Sequence, residues 1–389
     1  MAGVEDAGRG SVARRELVRL ELGRCGLRCR GGGTGREFHP LARRPRRRRR
    51  ECGIVRRARR HGCRGRNGKY RGMKELFDWA ARVCPASAGG DWTEIRRGGS
   101  DRRFWRGAGA AAGLVAVCYG TEKIENATYA ACAGFLLRSG VNVPRVLGHE
   151  AGRRFLLLED EGEEDLWSKR GAAWDERRGL YCRALEQASR IHAADLAAAQ
   201  AAGILQAPFD EALYLWEQDY FFEYFMRGDE GVRSAVPLSG QAVRLASLPR
   251  VLLHRDFQSQ NILLRGDSVA LIDFQGMRAG LAAYDVASLI YDPYVPMSEA
   301  EREEMSAFYA GLAGRTGDPS WADELRACAR QRLMQALGAY GFLGRVKGRT
   351  HFLGHIPAAA ERLASLCETE ADWYPLAAVA RRAAAEYGT

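Results

Sequence analysis

Val251-Leu-Leu-His-Arg-Asp-Phe-Gln-Ser-Gln-Asn-Ile-Leu-Leu264, followed by Val269-Ala-Leu-Ile-Asp-Phe-Gln275, is the stretch that decides how this chain is read. The apolar runs ending at Leu253 and beginning at Ile262 predict short strands, so residues 254–261 form a loop on a rigid base. Arg265-Gly-Asp-Ser268 is a turn signal, and 262–264 with 269–272 therefore read as a hairpin that returns Asp273 toward Asn261. The oxygen-bearing side chains of Asp256, Asn261 and Asp273 are expected to converge. A lone His-Arg-Asp tripeptide would mean only a carboxylate paired with its neighbouring Arg; the combination with Asn261 and Ile272-Asp-Phe274 points to chemistry.

Asp256 and Asn261 are separated by four residues, the interval of the catalytic loop in phosphoryl-transferring kinases, and a second Asp follows one hairpin later. Magnesium is a hard cation that takes oxygen ligands, here expected from Asn261 and Asp273, and it bridges the phosphates of ATP. Asp256, left off the metal, is expected to accept the proton of an attacking hydroxyl. Arg255 is grouped with Asp256 at the catalytic centre, and both His254 and Arg255 read as side chains that hold the loop. The expected reaction is direct in-line transfer without a phosphoenzyme.

These strings resemble the aminoglycoside phosphotransferase-like superfamily of choline and aminoglycoside kinases, and within it the bacterial anomeric kinases of N-acetylmuramate and N-acetylglucosamine. Aminoglycoside and choline kinases usually carry Gly or Asn between the His and the Asp, and often a Trp after the metal-binding Asp. Arg255 and Phe274 stand at those places, as in the cell-wall sugar kinases. Gly280, Tyr284-Asp-Val-Ala-Ser-Leu-Ile290 and Asp292-Pro-Tyr-Val295 extend the likeness.

The resemblance implies an α+β, protein-kinase-like two-lobed fold with a small β-rich N-lobe and a larger, mostly helical C-lobe. It implies ATP and Mg2+ as cofactors and a small-molecule sugar as substrate, phosphorylated at its anomeric hydroxyl in cytoplasmic cell-wall sugar recycling. No obligate protein partner is expected. In the same register, Gly99, Ser100, Arg102 and Arg103 are expected at the phosphates, and Glu159 at the inter-lobe hinge beside the adenine. Gln275, Arg278, Asp292 and Tyr294 lie where a sugar would be contacted, and Trp216, Glu217 and Tyr220 in the acceptor region; packing alone would also explain each of them. Asp285 is expected to cap the helix that follows and to brace the catalytic loop. One departure stands out: the strand that carries a phosphate-binding Lys in protein kinases offers Val117-Cys-Tyr119, leaving Arg102, Arg103 or Lys123 to substitute.

Two other functions remain open. One is a kinase of another alcohol, such as an aminoglycoside or a choline-like compound, for whose amines the acidic run 159–165 would supply carboxylates. The other is a catalytically silent nucleotide-binding module.

The charge pattern divides the chain. The first 72 residues hold 23 Lys or Arg against 6 Asp or Glu, a charge of +17, and the remainder carries −6, so the net +11 belongs to the tail. That tail is Arg/Gly-rich and without apolar periodicity, and it is read as a disordered extension or sequence upstream of a misassigned start, in preference to a nucleic-acid-binding arm or a targeting peptide. The expected divisions are 1–72 for this extension, 73–160 for a nucleotide-binding N-lobe and 161–389 for a helical C-lobe with catalytic loop and acceptor site. No apolar run is long enough for a membrane span, and no membrane or nucleic-acid partner is expected. Ten cysteines without CxxC spacing, and an irregular His61 and Cys63 pair, give no zinc signature.

Leu114–Cys118 and Phe155–Leu158 read as buried strands, and a helix is expected from Thr121 to Arg138. Helices are also expected over 176–196 and 211–227, and three or four more from Ser298 onward.

Overall fold

The computed structural model describes residues 66–95 and 101–388. The expectations for most of the basic tail, and for Gly99 and Ser100, lie outside the described residues. The chain divides into two compact units, Met1–Trp79 and Ala80–Thr389. The first is described only by the opening of helix α1 (Arg66–Val83).

Five strands build the small lobe: β1 (Asp91–Ile95), β2 (Arg103–Ala108), β3 (Leu114–Cys118), β4 (Val146–Glu150) and β5 (Phe155–Glu159). They form one antiparallel sheet in the order β1-β2-β3-β5-β4. Leu114-Val-Ala-Val and Phe155-Leu-Leu-Leu have no polar alternation because both faces are covered, and all eight residues are buried. Burial of each of these Leu side chains stabilises the sheet by about 1.5–3 kcal/mol.

The helix expected from Thr121 begins late. Residues Ile124–Thr128 form a 3-10 turn, and α2 runs from Tyr129 to Arg138. Asp101 accounts for the difference: its carboxylate accepts the Glu122 backbone N–H at 2.9 Å and the Asn126 amide at 2.8 Å. Those bonds give the segment a loop alternative to helical pairing.

The large lobe contains α3 (Trp174–Ala193), α4 (Leu196–Ala201), α5 (Glu211–Tyr224), α6 (Glu230–Ala235) and α7 (Leu238–Ser247). Two short ladders follow, β6 (Val251–Leu253) with β9 (Arg278–Gly280) and β7 (Ile262–Arg265) with β8 (Ser268–Leu271). Then come α8 (Ala282–Ile290), α9 (Glu299–Leu312), α10 (Pro319–Gly341), α11 (Ile356–Cys367) and α12 (Tyr374–Gly388). The last four are the helices expected after Ser298. Their starts follow from local chemistry: Ser298 and Glu301 form a capping box on α9, and Asp318 caps α10 ahead of Pro319. Asp195, Asp210 and Asp229 cap α4, α5 and α6 in the same manner. Each such cap is worth about 1 kcal/mol.

Two contacts position the functional region. Helix α10 crosses α5 at Gly338 and Gly341, where an added Cβ would lie 2.8 Å from the Tyr220 ring and 2.3 Å from the Tyr224 carbonyl oxygen. The β7–β8 hairpin is clamped to the small lobe and its connection: Leu264 N–H donates to Glu164 O at 2.8 Å, and Leu271 N–H to Asn142 O at 2.9 Å. Asn142 Nδ2 donates back to Val269 O at 3.2 Å. No helix among the described residues is long and apolar enough to cross a membrane.

Candidate active site

The loop between β6 and β7 hangs from two buried carboxylates. β6 pairs antiparallel with β9, with Leu252 opposite Ala279, which sets the base of the loop. Asp285, inside α8 and fully buried, accepts the backbone N–H groups of His254 at 2.7 Å and Arg255 at 2.9 Å. It therefore braces the loop as expected but does not cap its helix, whose N-cap is Leu281. Arg255 has φ of 80°, a costly backbone state for a non-glycine residue that the Asp285 bonds hold in place. Asp292 accepts both the N–H of Ser259, at 2.9 Å, and its hydroxyl, at 2.6 Å. The His254 ring adds a third tie, to Ile272 O at 3.0 Å.

This framework brings the three expected oxygen-bearing residues to one region. Asn261 Nδ2 donates to Asp256 O at 2.9 Å, and Ile272 N–H donates to Asn261 O at 3.0 Å, so Asp273 follows directly on a residue bonded to Asn261. Asp273 is left-handed, with φ 63° and ψ 31°, a conformation that Asp tolerates better than most residues. Gln275 Nε2 donates to its Oδ1 at 2.8 Å, and the Arg102 guanidinium donates to the same oxygen. Asp256 presents a partly exposed carboxylate, with Arg255 Nη1 at 3.2 Å.

Burial works to raise the Asp273 carboxyl, but the charge and hydrogen bond of Arg102, the Gln275 amide and the charge of Lys123 outweigh it and hold the group at about 2. With Asn261 Nδ2 and Asp273 Oδ1 both engaged, Asn261 Oδ1 and Asp273 Oδ2 remain as hard oxygen donors, a set that suits magnesium. That ion characteristically takes one or two protein oxygens and completes its shell with water and phosphate. Among the described residues no three His, Cys, Asp or Glu side chains group as a metal site.

The other expected residues divide. Arg102 reaches Asp273, and Lys123 lies close enough for its charge to act there, so two of the three cations named for the missing strand Lys are at the site. Arg103 turns away to Glu94 at 2.8 Å and lies over the Trp105 ring. Glu159 pairs with Arg265 at 3.1 Å, and its backbone N–H is taken by Arg145 O. Gln275 is buried with its Oε1 unpartnered, and Arg278 is buried over the Phe209 ring. Asp292 is committed to the loop through Ser259. Trp216 and Tyr220 stack on each other with ring centroids 5.2 Å apart. Glu217 is buried, accepting hydrogen bonds from Tyr284 and Gln331, both at 2.9 Å, and burial pushes its carboxyl up.

The acidic run is also spoken for. Arg106 binds Asp160 and Glu163, Arg265 binds Glu159 and Glu161, and Lys169 binds Glu164. Sequence reading missed His192, whose ring joins Asp285, at 3.1 Å, to the Tyr309 hydroxyl, at 2.6 Å. No local string marks it; only the packing of α3 against α8 and α9 does.

An antiparallel five-stranded lobe joined to a helical lobe, with Asp256, Asn261 and Asp273 on a braced loop and hairpin between them, defines a protein-kinase-like phosphotransferase. The match to the model of the phosphotransferase enzyme family runs over residues 91–325, and the chain belongs to that family. It is 29% identical over 275 residues to the N-acetylmuramate/N-acetylglucosamine kinase of Pseudomonas aeruginosa, covering 66% of this chain and 78% of that protein. The protein of the same name from Pseudomonas putida is 25% identical, over 73% of this chain and 85% of its own length. Among solved structures, a choline/ethanolamine kinase family protein from Mesorhizobium loti aligns with a TM-score of 0.54 at 18% identity, over 80% of this chain and 99% of its own. An ADP-bound aminoglycoside phosphotransferase aligns with a TM-score of 0.53 at 12% identity, over 77% and 98%. These structural likenesses establish the two-lobed fold.

Proposed function

We propose that this enzyme transfers the terminal phosphoryl group of ATP to the anomeric hydroxyl of an amino sugar, N-acetylmuramate or N-acetylglucosamine, within cell-wall sugar recycling. The observation that carries the reading is the meeting of Asp256, Asn261 and Asp273 on one braced loop and hairpin, in a chain whose relatives are named for those two sugars. Asp256 serves as the base: its carboxylate is partly exposed, takes no metal in this scheme, and sits on a loop that Asp285 and Asp292 hold still.

Asn261 and Asp273 would hold magnesium, which when bound neutralises phosphate charge and orients the transferring group. Arg102 and Lys123 contribute cationic charge beside Asp273, in the role that a strand Lys fills in protein kinases. Rigid placement is the main thing such a protein supplies, since phosphoryl transfer depends on positioning and charge more than on covalent help. The domain reading that goes with this proposal assigns 73–160 to nucleotide binding and 161–389 to the catalytic loop and acceptor.

The sequence argument for a cationic acceptor rested on free carboxylates at 159–165. Five of those acidic residues are paired with Arg or Lys and Asp165 caps a helical turn, which favours the sugar over an aminoglycoside. The test is ADP release against N-acetylmuramate, N-acetylglucosamine, choline and a kanamycin-type acceptor. Turnover of the two sugars is expected, and turnover confined to choline or the aminoglycoside would overturn the assignment.

A further inference from the structure

Helix α10 carries an arginine that the scheme above does not use. Arg332 is partly buried, and its guanidinium bonds only neutral groups: Nε donates to Ser288 Oγ at 3.1 Å, and Nη1 donates to Gln335. Among the described residues no carboxylate lies within ion-pairing distance of it. In the same lobe Arg177 and Arg330 are matched to acids, Glu301 and Glu370, while Arg362 and Arg345 are each met by two or more backbone carbonyls. Withdrawing a guanidinium from water without a counter-anion is costly, so a partly buried cation of this kind is a standing offer to a ligand that brings the anion.

Its bonds connect it to the helix that braces the catalytic loop. Ser288 lies one turn along α8 from Asp285, which holds the Arg255 amide of the catalytic loop. Ser288 Oγ is bonded to Tyr284 O, and the Tyr284 hydroxyl to Glu217. Gln331, the neighbour of Arg332, closes on the other oxygen of Glu217. The charged and titratable groups within electrostatic reach of Arg332 are Asp256, Glu217, Tyr284, Tyr294 and Tyr340. It is thus a cation tied through Ser288 to the helix that braces the catalytic loop, with the base within reach of its charge.

We infer that Arg332 binds an anionic substituent of the acceptor, the lactyl carboxylate that N-acetylmuramate carries and N-acetylglucosamine lacks. The inference rests on the sugar-kinase reading above and adds the group that tells its two sugars apart. The guanidinium takes the carboxylate through donors that its Ser288 and Gln335 contacts leave over, and offsets the repulsion that Asp256 would exert on a second anion. N-acetylglucosamine offers only hydroxyls and an amide, and gains nothing from the cation.

The test compares wild type, Arg332→Met and Arg332→Lys with three acceptors at saturating ATP: N-acetylmuramate, its methyl ester, and N-acetylglucosamine. A charge-assisted hydrogen bond is worth about 1.5–3 kcal/mol, so Arg332→Met is expected to raise KM for N-acetylmuramate roughly ten- to hundred-fold. KM for N-acetylglucosamine should stay within about two-fold. Wild type should lose a similar factor on the methyl ester, and Arg332→Met should no longer distinguish acid from ester. Arg332→Lys should recover part of the preference.

Equal losses on both sugars in Arg332→Met, or equal use of acid and ester by wild type, would overturn the role of Arg332 while leaving the sugar kinase standing. A wild-type enzyme that phosphorylates neither sugar overturns the underlying reading and this inference with it. Should Arg332→Met fail to fold, the ester comparison on wild type decides alone.

Discussion

Asp256 is the residue on which the proposed chemistry turns. Replacing it by Asn keeps the shape of the loop, because Asp285, Asp292 and the Asn261 amide hold the backbone and not the Asp256 carboxylate. Asp256→Asn is therefore expected to lower kcat by about 100- to 10,000-fold, the usual worth of a positioned base. ATP affinity, read by calorimetry, should change little; near-normal turnover would remove Asp256 from the role.

Glu217 supports a pH prediction of definite sign. Burial raises its carboxyl above the usual 4.5, so the folded protein binds this proton more tightly than the unfolded chain. Its contribution is fully present below pH 4.5 and is lost as pH rises through the raised value. Glu217→Gln keeps an acceptor for the Gln331 amide, turns an N–H toward the Tyr284 hydroxyl oxygen as the protonated acid would turn its O–H, and has no charge to bury. The variant should melt progressively later than wild type as pH is raised from about 5 to 8, and a constant difference in Tm across that range would refute the assignment. The sequence pointed to Glu217 as a sugar contact because of its place on an aromatic helix; that its carboxylate faces Tyr284 and Gln331 depends on α5, α8 and α10 meeting.

At the scale of elements, periodicity and punctuation carried most of the information. The apolar runs of β3 and β5, and the hairpin from Ile262 to Leu271, were legible because each is decided by neighbours in sequence. The start of α2 was not, since Asp101 reaches across from outside the helix to hold Glu122 and Asn126. The crossing of α10 and α5 is a similar case. Gly338 and Gly341 sit within a helix, where glycine is unfavourable, and the compensation is the close approach of Tyr220 and Tyr224. Gly341→Ala would drive a methyl group into the Tyr224 carbonyl and push the helices apart. A loss of about 1–3 kcal/mol is expected in denaturant unfolding, together with weaker sugar binding if α5 lines the acceptor pocket. Unchanged stability would mean that the crossing can relax freely.

At the scale of the molecule, the catalytic hairpin is held from both sides. Asn142, just beyond the small-lobe helix, accepts the Leu271 N–H on its carbonyl, donates its side-chain amide to Val269 O, and donates its backbone N–H to Gln187 Oε1. Asn142→Ala removes the side-chain bond and leaves the Val269 carbonyl short of a donor, at a cost of about 1–3 kcal/mol. The expected result is a lower Tm with a rise in KM for ATP larger than that for the sugar, because the ATP side of the hairpin loosens first. A uniform loss of expressed protein with unaltered kinetics would contradict it.

What the amino-acid string determined by itself was the reaction class and the convergence of Asp256, Asn261 and Asp273 on one region, because their spacing lies within one loop and one hairpin, where local geometry leaves little freedom. It also placed the positive charge in the first 72 residues and not in the catalytic lobes. The tertiary structure decided which cation meets Asp273, that His192 backs Asp285 behind the loop, that the acidic run is neutralised, and that Arg332 bonds Ser288 and Gln335 without an acid of its own. Those relations join residues dozens to more than a hundred positions apart, and no periodicity encodes them; they exist only once sheet, hairpin and helices have packed.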